Sequence, residues 1–178
     1  MKFETLHSQS MYQGRAFSVR KDRVRLPDGA EASLDIVEHS GAVTILPVDA
    51  QGTIWFVRQY RHAAGIELLE LPAGTLEPDE DPEFCAQREL REEIGMGAGK
   101  IQKIGTFYLA PGYSTEFMHI FLANELFPAT LQGDADEFLS VEQIHRSQIP
   151  ALIRSGEIAD AKTLAAFQLA APFLSFIE

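Results

Sequence analysis

The most constraining feature of the chain is one short helix-forming segment, Pro82 to Ile94, that carries Arg88, Glu89, Glu92 and Glu93. Residues three and four apart on a helix share a face, so Glu89 stands beside Glu92 and Glu93. Three carboxylates this close repel one another unless cations sit among them. Arg88 lies four residues before Glu92 and is placed to orient it. Hard divalent ions match such an oxygen-rich set. Ala86, Leu90 and Ile94 recur at four-residue steps on the other side and can seat the helix on a sheet. Asp81 suits the cap, Pro82 the first turn, Glu83 the positive end of the dipole, and Gly95 the stop. A solvated Glu/Arg face would read the same way from this helix alone.

Around it the pattern is that of a mixed α/β domain. Phe17, Val19, Val24 and Leu26 interleave with Arg15, Arg20, Arg23 and Arg25, then Pro27-Asp28-Gly29 turns the chain toward Leu34, Ile36 and Val37. This predicts antiparallel strands. Ala42–Val48, Thr53–Tyr60 and Ile66–Leu71 follow as strands, the last running into Pro72-Ala73-Gly74. Ile101–Tyr108 and Phe117–Ala123 are strand-like, separated by a loop around Pro111. Helices are expected over Glu142–Ser155, broken or kinked near Pro150, and over Asp160–Phe176. The sum is an α/β/α sandwich with a mixed sheet (41–178) preceded by an antiparallel β arm (1–40). The 178 residues carry 26 acidic and 15 basic side chains, a net charge of −11. That surface repels a phosphate backbone, so nucleic acid is not an expected partner. The single cysteine, Cys85, excludes an internal disulfide and Cys-rich zinc sites. No apolar stretch is long enough for a membrane span, and the first ten residues lack a signal-peptide pattern, so a cytoplasmic location is expected.

Gly74, five residues, Glu80, seven residues, Arg88-Glu89-Leu90, one residue, Glu92-Glu93, one residue, Gly95 and Met96 together resemble the Nudix box, with every fixed position met. The resemblance implies a Nudix hydrolase that uses Mg²⁺, with Mn²⁺ as a substitute, to hydrolyse a diphosphate linkage. It assigns Glu89 and Glu93 as metal ligands and Glu92 as a third carboxylate acting on metal or metal-bound water. The resemblance implies the backbone carbonyl of Ala73 as a further ligand. Pro111, 16 residues past Gly95, resembles the ADP-ribose pyrophosphatase subgroup, as do Arg58-Gln59-Tyr60-Arg61, Leu69-Glu70-Leu71-Pro72-Ala73-Gly74 and the segment Gly156–Thr163.

That resemblance implies cleavage of ADP-ribose to AMP and ribose 5-phosphate by a homodimer. The rivals are a broader hydrolase of nucleoside diphosphate sugars such as ADP-glucose or GDP-mannose, a non-catalytic ADP-ribose sensor, and a hydrolase of oxidised nucleoside triphosphates. Arg58 and Arg61 stand as candidates to hold phosphates or ribose, or as surface ion pairs. Glu70 is a candidate for a ribose hydroxyl, or a strand-edge charge. Glu116 is a candidate for the same cleft. The subgroup places its general base in an acidic loop, here 133–137, making Glu137 the candidate. Ala135 departs from a glutamate pair often found there, which leaves Asp136 and Glu92 as alternatives. The N-terminal arm resembles a region exchanged between subunits, with Arg15 and Phe17 as adenosine contacts; a strand packed within its own subunit is the alternative.

Overall fold

The computed structural model describes residues 2–133 and 138–174. The chain forms two compact units. Unit 1 holds residues 1–41 and 107–117; unit 2 holds 42–106 and 118–178.

Unit 1 is built on a three-stranded antiparallel sheet ordered β1 (Glu4–Gln13), β2 (Ser18–Arg25), β3 (Glu31–Glu38). The sequence reading expected β2 and β3 but not β1. The reason is physical: β1 is exposed along almost its whole length, so it has no alternation of buried and exposed positions to betray it. The loop around Pro111 is stitched to β3. The Val37 amide donates to the Tyr113 carbonyl at 2.8 Å, the Thr115 amide to the Val37 carbonyl at 2.9 Å, and the His39 amide to Thr115 Oγ1 at 3.0 Å.

Unit 2 carries two sheets. One has the order β7 (Ala73–Thr75), β4 (Ala42–Pro47), β9 (Phe117–Pro128), β8 (Met96–Tyr108); the other has β10 (Leu139–His145), β5 (Thr53–Arg61), β6 (Ile66–Glu70). β4 runs parallel to β9 and antiparallel to β7. All six residues of β4 are buried, as expected for a strand covered on both faces. Val43 and Ile45 meet Cys85, Ala86, Leu90 and Ile94 of α1 (Pro82–Glu93 and its cap), with Phe121, Ala123 and Val57 completing that core. α3 (Ala161–Ala170) also packs on β4, and its Phe167 ring lies 6.1 Å from Phe56.

Two expectations are corrected. Glu142–His145 is strand, not helix: Leu139 to His145 pairs residue for residue with Gln59 to Thr53. A free edge of β5 outweighs the local preference of this polar segment. Pro150 does not kink a long helix. After one 3₁₀ turn at Arg146–Gln148 it stands in the first turn of α2 (Ile149–Ser155), where its missing N–H costs nothing. α3 is also shorter than expected, ending at Ala170. Among the described residues, no helix is long and apolar enough to cross a membrane.

Candidate active site

The segment 70–75 and the two helices that touch it build the site, all within unit 2. Asp81 caps α1, its carboxylate accepting the amides of Glu83 and Phe84 at 2.8 and 3.4 Å. Gly95, at φ +69°, supplies the left-handed turn that ends the helix. Between these ends, burial of Ala86 and Leu90 locks the helix's rotation. The same rotation carries Glu89 and Glu93 into the interior, where they are only 7% and 6% exposed. Two acidic side chains so deeply placed need positive partners.

Both carboxylates lie against the backbone of β7. Glu93 Oε2 accepts the Ala73 amide at 2.9 Å. A Cβ on Gly74 would stand 1.7 Å from Glu89 Oε1, so only glycine leaves room for that carboxylate. Arg88 is the cation inside the cluster. Its Nε donates to Glu80 Oε1 at 2.9 Å and its Nη2 to Glu80 Oε2 at 3.1 Å, a two-pronged contact. Its Nη1 donates to Glu89 Oε1 at 2.7 Å and to Glu92 Oε2 at 2.9 Å. The Arg88 bond, outweighing partial burial, holds the Glu80 carboxyl down at about 2. Arg88 also donates to Cys85 Sγ at 3.3 Å, and burial pushes that thiol far up, so Cys85 is an inert core residue.

A second charge cluster flanks the first. Glu70 is 1% exposed. It accepts from Arg61 Nε at 2.9 Å and Arg61 Nη2 at 2.7 Å, and from Lys162 Nζ. Burial alone would raise the Glu70 carboxyl, but the Arg61 hydrogen bonds and the Lys162 charge outweigh it and hold it below the ordinary range. Lys162 is steadied by Asp160 at 3.0 Å. Asp160 caps α3 through the Thr163 amide, and the Thr163 hydroxyl in turn accepts the Leu71 amide at 3.0 Å. Arg61 lies within electrostatic range of Glu93.

Arg58 is elsewhere. An odd separation along a strand puts Arg58 and Arg61 on opposite faces of β5. Arg58 is held by Glu142 of β10 and by Glu157, the latter at 2.7 Å. Of the three unit 1 candidates, Arg15 is exposed and Phe17 is 45% exposed, its ring 6.0 Å from that of Tyr12. The Glu116 backbone closes the Pro111 loop, its carbonyl accepting the Leu109 amide at 3.1 Å. Glu137 and Asp136 lie outside the described residues. The segment leading to them is tied to α1: the Leu131 amide donates to the Arg91 carbonyl at 3.0 Å, and Gly133 rests against Glu92.

Sequence reasoning missed Asp160, Lys162 and Thr163. The legible signal was a lysine in the first turn of a helix, where the dipole disfavours a cation. Glu80, fixed in the motif, gains its role only as the two-pronged partner of Arg88.

The donor set fits a hard divalent ion. Glu80, Glu89 and Glu92 surround a single guanidinium, Glu93 lies beside them on the β7 backbone, and Gly74 leaves a cradle that a Cβ would fill. Among the described residues no three acidic, His or Cys side chains already converge on one point. Glu89 and Glu92 turn to Arg88, and Glu93 to the Ala73 amide.

The helix carboxylates and the glycine beside them form an oxygen-rich site, and comparison with known proteins identifies its class. Residues 38–167 match the NUDIX domain and residues 3–33 the nucleoside diphosphate sugar hydrolase N-terminal domain, so the chain belongs to the Nudix family. It is 38% identical over 167 residues to the ADP-ribose pyrophosphatase of Bacillus subtilis (strain 168), covering 93% of this chain and 90% of that one. It is 44% identical over 125 residues to the ADP-ribose pyrophosphatase of Mycobacterium tuberculosis, covering 70% and 60%. A crystal structure of an ADP compounds hydrolase has the same fold, with a TM-score of 0.88 at 24% identity over 98% of this chain and 95% of that one.

Proposed function

We propose that the protein is a Mg²⁺-dependent Nudix pyrophosphohydrolase that cleaves ADP-ribose to AMP and ribose 5-phosphate, as a cytoplasmic homodimer. The observation that carries this reading is the adjacency of two charge clusters of different balance. One concentrates carboxylates around a single arginine; the other pairs Glu70 and Asp160 with Arg61 and Lys162 and leaves part of Arg61 open. A magnesium diphosphate needs both kinds of surface.

Glu89, Glu93 and the Ala73 carbonyl would hold the metal, with Glu92 beside them. The metal, when bound, would neutralise diphosphate charge and lower the pKa of water. Arg61 faces the diphosphate as an anion anchor. Glu137 is the base: it takes a proton from water as the oxygen bonds to phosphorus and the bridging P–O bond breaks, the electron pair leaving on the departing phosphate. Gly133, resting against Glu92, starts that segment beside the carboxylates. Glu137→Gln should then lower kcat by about 10²–10⁴-fold with KM little changed. A wild-type rate would move the base elsewhere. Arg15 and Phe17 of the exchanged arm are candidates to contact adenosine bound to the partner subunit, and Glu116 is a candidate for the substrate cleft.

A second reading, a broader hydrolase of nucleoside diphosphate sugars, is favoured by the nucleoside diphosphate sugar hydrolase match at residues 3–33. The deciding experiment is phosphate release in a phosphatase-coupled assay with Mg²⁺ across ADP-ribose, ADP-glucose, GDP-mannose and UDP-glucose. A clear kcat/KM preference for ADP-ribose supports the first reading. A flat profile supports the second. Binding without turnover would leave a sensor.

A further inference from the structure

The α3 N-terminus breaks an electrostatic rule. Lys162 sits in the first turn of α3, where the helix dipole disfavours a cation, and its side chain is only 13% exposed. Such a placement is costly unless a carboxylate compensates it. Glu70 and Asp160 do so, and Glu70 simultaneously grips Arg61.

Glu70 engages Arg61 along one edge, through Nε and Nη2. Among the described residues nothing bonds its Nη1, and the side chain remains 41% exposed. An arginine held along one edge offers the other in a fixed plane, which suits two-point contact with a phosphate. A carboxylate carrying only that arginine could still rotate about its own side chain. With Lys162 on the same Oε2 as Arg61 Nη2, the carboxylate plane is fixed from two sides. Thr163 ties the same helix turn to the Leu71 amide next along the chain, so Glu70 and Lys162 are held in register by backbone as well as by charge.

We propose that Lys162 is a positioning residue for the diphosphate-binding edge of Arg61, acting through Glu70, so that the first turn of α3 belongs to the site. This rests on the hydrolase reading above. Lys162 itself touches Glu70 and Asp160; its effect reaches substrate only through Arg61.

The test is a set of five proteins: wild type, Lys162→Met, Lys162→Arg, Arg61→Met and the double variant Arg61→Met/Lys162→Met. kcat and KM for ADP-ribose are measured with each protein's melting temperature. Lys162→Met should raise KM about 10- to 100-fold with kcat within about threefold, and Lys162→Arg should restore most of it. In the Arg61→Met background, Lys162→Met should change KM by less than about twofold, because its route to substrate is already gone. A wild-type KM in Lys162→Met overturns the proposal. So does the full factor reappearing in the Arg61→Met background, which would mean a direct contact. A lowered melting temperature with unchanged KM marks a merely structural ion pair and overturns it too. If the wild-type protein turns over no nucleoside diphosphate sugar, the hydrolase reading and this inference fall together. Turnover with an insensitive KM overturns this inference alone.

Discussion

The Arg88 cluster carries surplus acid, whereas the Glu70 cluster, with Asp160 also on Lys162, matches two acids with two cations. In the first, one guanidinium serves Glu80, Glu89 and Glu92. In the second, one carboxylate serves Arg61 and Lys162. Each lies beside the segment 70–75. The difference is what each leaves over. Around Arg88 the surplus is negative and invites a cation. Around Glu70 the acid is fully occupied, and the surplus is hydrogen-bonding capacity on Arg61. Repulsion of about 0.2–0.5 kcal/mol per pair is tolerated because the arginine sits inside the cluster and buried Leu90, worth about 1.5–3 kcal/mol, holds the helix down with Ala86.

The largest expected effect strikes the negative surplus directly. Glu93→Gln removes one anionic oxygen set while keeping an acceptor for the Ala73 amide, so the fold survives. Mg²⁺-dependent turnover should fall at least about 100-fold, since even groups behind a ligand are worth 10–100-fold. Unchanged turnover at saturating Mg²⁺ would end the metal assignment. Arg88→Met comes next. It strips the cluster of its cation, and denaturant unfolding should show a loss of about 2–4 kcal/mol, partly recovered by added Mg²⁺. A variant as stable as wild type without metal would mean that the carboxylates do not repel.

Gly74→Ala is gentler. The new Cβ must push the Glu89 carboxylate aside, since it would stand 1.7 Å from one oxygen. Activity should drop at least about tenfold, and stability by about 1–3 kcal/mol, because the displaced carboxylate is buried and held by Arg88. Loss of fold and activity together would show that β7, not Glu89, gave way. The smallest effect is an acid limb. The folded Glu80 carboxyl sits at about 2 against an ordinary 4.5, so its stabilisation is full above 4.5 and is lost as pH falls toward 2. Glu80→Gln should lower stability at neutral pH, where the Arg88 pairing is fully present, and flatten the acid side of the stability–pH curve in that window. A curve of unchanged shape would place the acid sensitivity elsewhere, Glu70 and Asp22 being the other carboxyls held low.

Much of this site is legible without coordinates. The spacing Glu89-x-x-Glu92-Glu93 put the acids on one helix face, and Asp81 and Gly95 bounded that helix. These are local facts, set by a 3.6-residue period and by the conformational freedom of single residues. What failed was equally physical. β1 lacked alternation because its side chains meet solvent. Glu142–His145 became strand because β5 had an edge to fill. Arg58 and Arg61 looked interchangeable until the pleat of β5 separated them.

The sequence by itself determined the carboxylate helix, its caps and the acidic balance of the chain, since each depends on neighbours within a few turns. Only the tertiary structure decided which cation meets which acid. Glu70 is far from Lys162 along the chain and closes on it because α3 packs against β4. Pairing across such a separation depends on where packed elements bring their ends. That position is a property of the whole core, and no local pattern in the chain encodes it.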